Sequence, residues 1–549
     1  MKSTAKKVLA LILALLMLVA LVACGGKTAA PETKDDGKKE EEPAKQEIET
    51  QSIGDGGTMT METEGEAVEN DRTLYVAVSQ DSGTLYPYSC TAFGFTGVAR
   101  TFQDTLYDYT SGGDIEYLLC TGWEEAEGEN EYIMHLREGV KFTNGNPFTA
   151  SDVIFSMQVS HEHPQYFSNV DTIDFEKTKI IDDYTIDLWF TRFDVGQFPG
   201  MMLMYIYDEE SFDIQAMATQ SIGTGPYMVT EYVTNSYVRV TANPDYWGDP
   251  PAIKNIEFDV IDEAQQKVNA LTVGKLDYAG ITSDDVELVE GLSKYKIWAT
   301  LSGSCNIAYF NCSPDGPLNT VEKRKAICYA IDRQNINDIL FDGYSTLPRW
   351  ANTEACLDFE EEFIDPEDDV YSVGYNPDLA RSMIEELGMK GTKLRIMTNG
   401  SERYITMAEI VEQNLKDVGL DAEIINYDQA TYWGLLMDPT NFDIAMYMNG
   451  SPKNMCLDLF PAYLEFFSLG LEGDPVRDAF VELGNKGLAT PDEAERDKIL
   501  NQLGRDFNKL TAWYAICENL GFTAVDKDLG TIVKYNDGEN RYAHWYWVN

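Results

Sequence analysis

The chain has 549 residues, which is too long for a single hydrophobic core, so two or more lobes are expected. Its apolar fraction of 44% and its charged fraction of 24% are those of a globular protein, but its formal net charge is −50. A surface this acidic repels nucleic acid and anionic lipid, and no cluster of lysine and arginine offsets it, so a nucleic-acid function is disfavoured.

The chain begins with the pattern of a secretion signal. Three lysines precede an apolar run over Val8–Ala23, which is 16 residues long and therefore short for a bilayer span. The run ends in Leu21-Val22-Ala23-Cys24, which resembles a bacterial lipobox. The resemblance implies that residues 1–23 are removed, that Cys24 carries a lipid, and that the protein is extracytoplasmic and anchored to the cell membrane. An ordinary signal peptide or a transmembrane anchor are the alternatives.

Residues 24–70 are expected to form the lipidated cysteine and a disordered acidic tether. The segment is of low complexity and contains no aromatic residue, so it cannot bury enough apolar surface to offset its chain entropy.

Eight further cysteines are irregularly spaced and include no CxxC motif, so neither a zinc site nor a redox site is indicated. Disulfides and free buried thiols both remain open for them, because secretion permits disulfides.

The folded part is predicted to begin with a strand over Thr73–Ser79, in which apolar residues alternate with others. A helix is predicted from Thr149, with Asp152 at capping-box spacing. The same alternation predicts strands at Tyr132–Leu136, Ile186–Phe190, Tyr237–Thr241 and Ile256–Val260.

The glycine pair Gly223 and Gly225 does not have the setting of a phosphate-binding loop. Pro226 follows directly, and the next residues alternate between apolar and polar, with a turn at 234–236. This pattern predicts a β-hairpin rather than a helix whose amino end could bind an anion. We expect the glycines to permit a tight backbone bend.

Further along, Asn376, Pro377 and Gly388 mark the cap, first position and end of a predicted helix. Its buried stripe is predicted to consist of Leu379, Met383, Ile384 and Leu387. A βαβ unit with parallel strands follows, with strands at 394–398 and 421–427 and a helix ending at Gly419.

Four segments together resemble the extracytoplasmic solute-binding proteins of ABC importers, in the class that includes oligopeptide, dipeptide and nickel binders. They lie in the family's order, and the resemblance covers nearly all of residues 71–549. The segments are Gly122–Met157, the stretch from Ile222 to Ile261, "YFNCSPDGPLNTVEKRKAICYAIDRQNI" from Tyr309, and "GYNPDLARSMIEELG" ending at Gly388.

The resemblance implies an α/β, two-lobed periplasmic-binding-protein-like fold of type II, in the large class with an extra inserted subdomain. Lobe I is expected to combine residues 71–110, 221–303 and 512–549, with the inserted subdomain at 111–220. Lobe II is expected at 304–511.

The resemblance also implies which residues line the cleft between the lobes. The expected ligand-binding residues are Leu85, Tyr86, Tyr88, Tyr166, Ser304, Cys305, Asn306, Tyr432, Trp433, Asn449 and Gly450. Core packing is the alternative for each aromatic residue. Peptide binders of the family usually place a Trp and an ammonium-binding Asp after the strand that ends here, but this chain has Asn449 and Pro452 there.

The implied function is capture of a small solute, first of all a peptide, in the cleft and its delivery to an ABC import permease. An oligosaccharide, an opine, a nickel chelate or a ligand-sensing role are the alternatives. His161 and His163 are too few to define a nickel site, so we expect neither a metal nor a cofactor. We expect the protein to be a monomer. We expect no catalysis, because GxSxG, HExxH and phosphate-loop motifs are absent from the sequence. A glycosidase is the enzyme alternative.

Overall fold

The computed structural model describes residues 50–51, 59–87, 95–110, 114–162, 170–201, 204–354, 361–364, 370–449, 470–471, 473–534 and 539–549. The strands are β1 Thr50–Gln51, β2 Met59–Glu62, β3 Ala67–Val68, β4 Thr73–Val78, β5 Tyr107–Tyr109, β6 Ile115–Tyr117, β7 Cys120–Glu125, β8 Glu131–Leu136, β9 Lys179–Asp182, β10 Thr185–Trp189, β11 Tyr227–Val233, β12 Tyr237–Ala242, β13 Asn255–Val260, β14 Tyr278–Ile281, β15 Tyr295–Phe310, β16 Lys393–Thr398, β17 Asp421–Asn426, β18 Ile444–Asn449, β19 Trp513–Asp526, β20 Thr531–Lys534 and β21 Trp547–Val548.

The α-helices span Phe95–Phe102, Ala150–Glu162, Gln197–Met201, Ile214–Met217, Ala264–Thr272, Val286–Glu290, Val321–Ala330, Arg333–Leu340, Val370–Val373, Pro377–Glu386, Glu402–Asp417, Gln429–Leu436, Pro475–Leu488 and Glu493–Leu510. Short 3₁₀ turns lie at Ser283–Asp285, Glu361–Phe363, Pro439–Asn441 and Tyr542–His544. Within the described ranges, no helix is long and apolar enough to cross a bilayer.

The largest sheet is mixed and runs in the order β11-β12-β13-β4-β14-β19-β15-β18-β16-β17, with β1 paired in addition to β15. We call β11, β12, β13, β4 and β14 the first half-sheet, and β18, β16 and β17 the second half-sheet. A separate antiparallel sheet has the order β7-β8-β10-β9. The alternation of strands and helices that the sequence predicts is thus realised as an α/β fold.

Two long strands join the half-sheets. β15 and β19 are antiparallel and stay paired from Tyr295 opposite Asp526 to Tyr309 opposite Trp513. One end of β19 pairs with β14 of the first half-sheet, whereas the other end of β15 pairs with β18 of the second. The same two strands therefore belong to both halves.

Each half has its own hydrophobic core. Val76, Phe258 and Trp545 are among the buried side chains of the first half-sheet, and a small satellite core includes Tyr295. Tyr309, Ile396 and Trp513 belong to the core of the second half-sheet. A third core lies within the four-stranded sheet and includes Met134, Val153 and Leu188. Three separate cores agree with the expectation that one core cannot serve a chain of this length.

Several local predictions are confirmed. β11 and β12 form the predicted antiparallel hairpin, and Asn235 in its turn has a φ of 56°. β16 and β17 are parallel and are joined by the helix Glu402–Asp417, as the βαβ pattern predicts. The side chain of Asn376 accepts a hydrogen bond from the N–H of Leu379, at 3.0 Å, so it caps its helix as predicted.

The predicted buried stripe of the capped helix is only partly right. Ile384 is buried and Met383 is partly buried, but Leu379 is 36% exposed and Ala380 is buried in its place. The helix packs against the helix Val321–Ala330. Because Ala380 and Ile384 are four residues apart, they lie on one face, and the small alanine side chain lets the two helices approach closely.

The glycine pair has a different physical role from the predicted bend. Neither Gly223 nor Gly225 has a positive φ. Instead, both lie against the end of the helix Phe95–Phe102: a Cβ at Gly223 would be 2.1 Å from the carbonyl oxygen of Phe102, and one at Gly225 would be 2.6 Å from its carbonyl carbon. The two glycines are needed because the backbone at 223–225 passes close to the backbone of Phe102. They are not needed for a backbone conformation that only glycine adopts readily.

Ordered structure begins earlier than the end of the expected tether at residue 70. β2 pairs antiparallel with β20, and β3 pairs antiparallel with β21. Alternate residues of Met59–Glu62 can face the protein although the segment is polar overall, and Met61 packs against the first core. The low average hydrophobicity of residues 24–70 therefore gave no sign of β2 and β3, which pair with strands near the C terminus.

We expect Gly225→Ala to lower the free energy of unfolding by about 1–3 kcal/mol, because its methyl group would collide with backbone that cannot rotate away. Chemical denaturation measures the change. Gly280→Ala in β14 is the matched control, since nothing lies within 4 Å of its Cβ position. An unchanged denaturation midpoint for Gly225→Ala would contradict the close-approach explanation.

Candidate ligand-binding site

The pairing of the two long strands is interrupted where the half-sheets meet. Leu301 lies opposite Leu520, whereas Cys305 lies opposite Glu518. Residues 302–304 of β15 are therefore matched by the single residue 519 of β19. Such a bulge bends a strand and is common next to binding sites. The predicted main-chain contacts at Ser304, Cys305 and Asn306 lie at this interruption.

Three residues lie opposite one another across β18, β15 and β19, beside the bulge. Cys305 lies opposite Asn449 of β18 on one side and opposite Glu518 of β19 on the other. The fold thus places the backbone of Cys305 between that of Asn449, which is also a predicted site residue, and that of Glu518.

The neighbouring row is also polar. Asn306 lies opposite Met448 and Cys517, and its side-chain amide donates to the carbonyl oxygen and to Sγ of Cys517, each at 3.4 Å. Both residues are fully buried. Burial raises the pKa of the Cys517 thiol to about 11, so the thiol is protonated and unreactive at neutral pH.

Glu518 is an acid in the interior. It is 2% exposed. The hydroxyl of Thr353 and the backbone N–H of Glu354 donate to its carboxylate. Its own backbone is fixed by two hydrogen bonds to Thr346, of 2.8 and 3.2 Å. Burial raises the pKa of the Glu518 carboxyl to about 7, and the nearby charge of Glu354 acts in the same direction.

The two predicted aromatic residues after β17 occupy different environments. Tyr432 is fully buried, and its hydroxyl donates to the carbonyl oxygen of Met446 at 2.6 Å, which is a core contact. Trp433 is only partly buried and meets the ring of Tyr447 edge-on, with 5.2 Å between ring centroids. Of the two side chains, Trp433 has the exposure that a ligand contact requires.

The predicted residues of the first half are buried as well. Leu85 is fully buried, and Tyr86 is 3% exposed, with its ring 5.8 Å from that of Tyr207. In this conformation both side chains pack in the first core, which is the alternative that the sequence left open for Tyr86.

The remaining predicted positions are described in part or not at all. Ser304 is half-buried, and Asn449 is described only by its backbone. Tyr88, Tyr166, Gly450 and the predicted lipidation site Cys24 lie outside the described residues.

The nickel alternative gains nothing from the described residues. His161 lies 3.4 Å from a carboxylate oxygen of Asp171, and His163 lies outside the described part of the chain. No group of three or more potential metal ligands occurs among the residues that are described.

Five of the cysteines whose pairing the sequence left open are free and buried: Cys120, Cys305, Cys312, Cys328 and Cys517. The other cysteines lie outside the described residues.

A separate polar cavity of about 490 Å³ lies near the C terminus, between Arg100, Trp247 and Arg541. Asp104 in its wall is buried and accepts hydrogen bonds from Trp247 at 2.9 Å and Thr224 at 3.1 Å. Burial raises the pKa of the Asp104 carboxyl to about 6. No residue of β15 or β19 lines this cavity, so it is distinct from the strand junction.

Sequence reasoning missed Glu518. The signal was present, because Glu518 is the one charged residue in the otherwise uncharged stretch Thr511–Val525. A charge in the middle of a strand with this many apolar residues indicates either an edge strand or a buried functional group.

Comparison with known proteins agrees with this architecture. The family model of bacterial extracellular solute-binding proteins, family 5, matches residues 114–455. Haem-binding protein A of Haemophilus influenzae is 23% identical over 479 residues, which cover 81% of this chain and 83% of that protein.

Two solved structures have the same fold. The oligopeptide-binding protein AppA of Bacillus subtilis, in complex with a nonapeptide, covers 88% of this chain and 100% of its own, with a TM-score of 0.70 and 17% identity. NikA of Brucella suis, in complex with Fe(III)-EDTA, covers 87% of this chain and 100% of its own, with a TM-score of 0.76 and 18% identity. Because the family model matches more than half of the residues, this chain belongs to the bacterial extracellular solute-binding proteins of family 5.

Proposed function

We propose that this protein captures a peptide between its two lobes and delivers it unchanged to an ABC permease. The observation that carries the proposal is the strand pair β15 and β19, which runs from one core to the other and is interrupted at the junction. Lobes joined by such a pair can close by a hinge movement while each core stays intact.

The choice of a peptide is supported by the relatives. The oligopeptide-binding protein AppA of Bacillus subtilis is 24% identical over 402 residues, and the dipeptide-binding protein of Escherichia coli is 24% identical over 379 residues. Extended peptides are commonly recognised by main-chain hydrogen bonds at the edge of a strand. The end of β18 at Asn449, next to the bulge at 302–304 of β15, presents strand backbone of this kind.

The expected lobe boundaries are supported by the cores. Nearly all of the second core lies between Cys305 and Leu510, inside the range 304–511 proposed for lobe II, with its last members on β19. The core of the four-stranded sheet supports an inserted subdomain near 111–220, although Leu106 and Tyr107 also belong to it. We propose that the protein is a monomer and that Cys24 anchors it to the membrane by a lipid.

A pool of unmodified tri- to pentapeptides is expected to stabilise the purified protein. At a hundredfold excess over the dissociation constant, the gain is about 2.7 kcal/mol, visible as a shift of thermal unfolding. Mass spectrometry should recover the peptides uncleaved. Oligosaccharides and nickel–histidine complexes are tested in parallel in the same thermal-unfolding assay. Stabilisation by one of these but not by peptides would replace the peptide proposal, and cleaved peptides would contradict a role without catalysis.

Trp433→Ala is expected to weaken binding of the responding peptides about tenfold, because an aromatic contact in a closed cleft typically contributes more than 1 kcal/mol. Calorimetric titration measures the change. Trp189→Ala in the four-stranded sheet removes a half-buried indole outside the proposed cleft and should leave affinity unchanged. Equal affinities for the wild type and Trp433→Ala would remove Trp433 from the site.

Cys24→Ser is expected to release the protein from the membrane fraction of the producing cells, since the acyl group has no thiol to attach to. Fractionation followed by immunoblotting measures the distribution, and mass spectrometry of the wild-type N-terminal peptide detects the lipid. A variant that sediments with the membrane as completely as the wild type would contradict the anchor.

A further inference from the structure

The separate polar cavity contains two opposite charges that do not pair with each other. Its volume of about 490 Å³ is typical of a pocket for a small ligand, and both Asp104 and Arg137 line it. Trp247 contacts both: its indole N–H donates to the carboxylate of Asp104, and its ring lies 4.3 Å from the guanidinium carbon of Arg137. The cavity thus has an anionic and a cationic group on either side of one aromatic ring.

The carboxylate of Asp104 has one oxygen to spare. Asp104 is 4% exposed, and Trp247 and Thr224 both donate to Oδ2, at 2.9 and 3.1 Å. Neither donor is charged. Among the described residues no group donates to Oδ1, and no cation lies within ion-pair distance of the carboxylate. Because neutral donors offset the cost of burying a carboxylate only in part, a cationic donor at Oδ1 would be stabilising.

Two other arginines of the cavity wall are already paired. Nε and Nη2 of Arg541 donate to Oδ2 of Asp108, at 2.9 and 2.6 Å. Nη1 of Arg100 lies 3.6 Å from the same oxygen. Arg100 is near enough to oppose the burial that raises the pKa of Asp104, but its ion-pair partner is Asp108.

Arg137, which directly follows β8, has no such partner. Its Nε and Nη2 donate to the backbone carbonyl oxygens of Leu118 and Tyr117, at 2.6 and 3.2 Å. No carboxylate of the described ranges lies within ion-pair distance of this guanidinium, and Nη1 has no acceptor in them. The chain has 92 acidic and 42 basic side chains, so a shortage of acids does not explain an unpaired arginine.

We propose that this cavity is a second binding site, for a free α-amino acid, whose ammonium donates to Oδ1 of Asp104 and whose carboxylate accepts from Arg137. A zwitterion satisfies both groups at once, whereas a simple anion or cation leaves one of them without a partner. The planar guanidinium suits a carboxylate in particular. Because the cavity is distinct from the strand junction, the inference does not rest on the proposed function.

The first experiment changes only the ligand. Thermal unfolding of the purified protein is measured with each standard amino acid in excess, and the strongest responder is titrated by calorimetry. Its N-acetyl derivative lacks the ammonium and its amide lacks the carboxylate, so the derivatives test the two contacts separately. We expect each derivative to bind roughly tenfold more weakly or worse, because each loses a charge-assisted hydrogen bond.

The second experiment changes the protein. Asp104→Asn keeps the shape of the side chain and an oxygen for Trp247 and Thr224, so we expect it to fold and to bind the amino acid roughly tenfold more weakly or worse. Arg137→Gln should lose the discrimination between the amino acid and its amide. Asp187→Asn is the matched control, because Asp187 is also a buried acid but lies in β10, outside the cavity, and it should bind as the wild type does.

The inference is overturned if no standard amino acid shifts thermal unfolding, or if either derivative binds the wild type as tightly as the free amino acid. It is also overturned if a folded Asp104→Asn protein keeps the wild-type affinity. The test with derivatives decides the matter even if a variant does not fold. Each of these outcomes leaves peptide binding in the cleft untouched, so failure of this inference is distinguishable from failure of the proposed function.

Discussion

The antiparallel pairing of β15 with β19 is the interaction on which the rest of the structure depends. These two strands are the centre of the large sheet, and each half-sheet is built outward from one of their ends. Backbone hydrogen bonds in a buried sheet must be satisfied, so the pair holds the two cores in a defined relation. The pairing is irregular only at two places, and the larger irregularity lies between Leu301 and Cys305.

The bulge between Leu301 and Cys305 is a place where the strand pair can bend, and buried polar residues lie next to it. A bulge loosens the ladder locally, so bending can concentrate there without cost to either core. The residues next to it are buried and polar, which is costly unless each finds a partner. The side-chain amide of Asn306 donates to the carbonyl oxygen of Cys517. The carboxylate of Glu518 accepts hydrogen bonds from Thr353 and from the backbone N–H of Glu354.

Local patterns in the sequence predicted the fold well, and tertiary packing accounts for the differences. The hairpin of β11 and β12 and the cap at Asn376 follow from alternation and side-chain chemistry over a few residues. The contact of Gly225 with Phe102 joins residues more than 120 positions apart, and no local pattern encodes it. The exposure of Leu379 likewise depends on which neighbouring helix its own helix meets.

The candidate site was harder to predict from sequence than the fold. Family resemblance predicted site residues at the junction and at Trp433, and these remain predictions. A resemblance carries over positions in the sequence but not the burial of a side chain, so it could not show that Leu85 and Tyr432 are buried. Glu518 matched no motif. Its burial and its position opposite Cys305 emerge only from the folded chain.

The strands β2 and β3 make the two ends of the described chain depend on each other. β2 is paired with β20 and β3 with β21, each in a two-stranded sheet. Removal of residues 59–68 would therefore leave both C-terminal strands without a ladder partner and uncover backbone that β2 and β3 now pair.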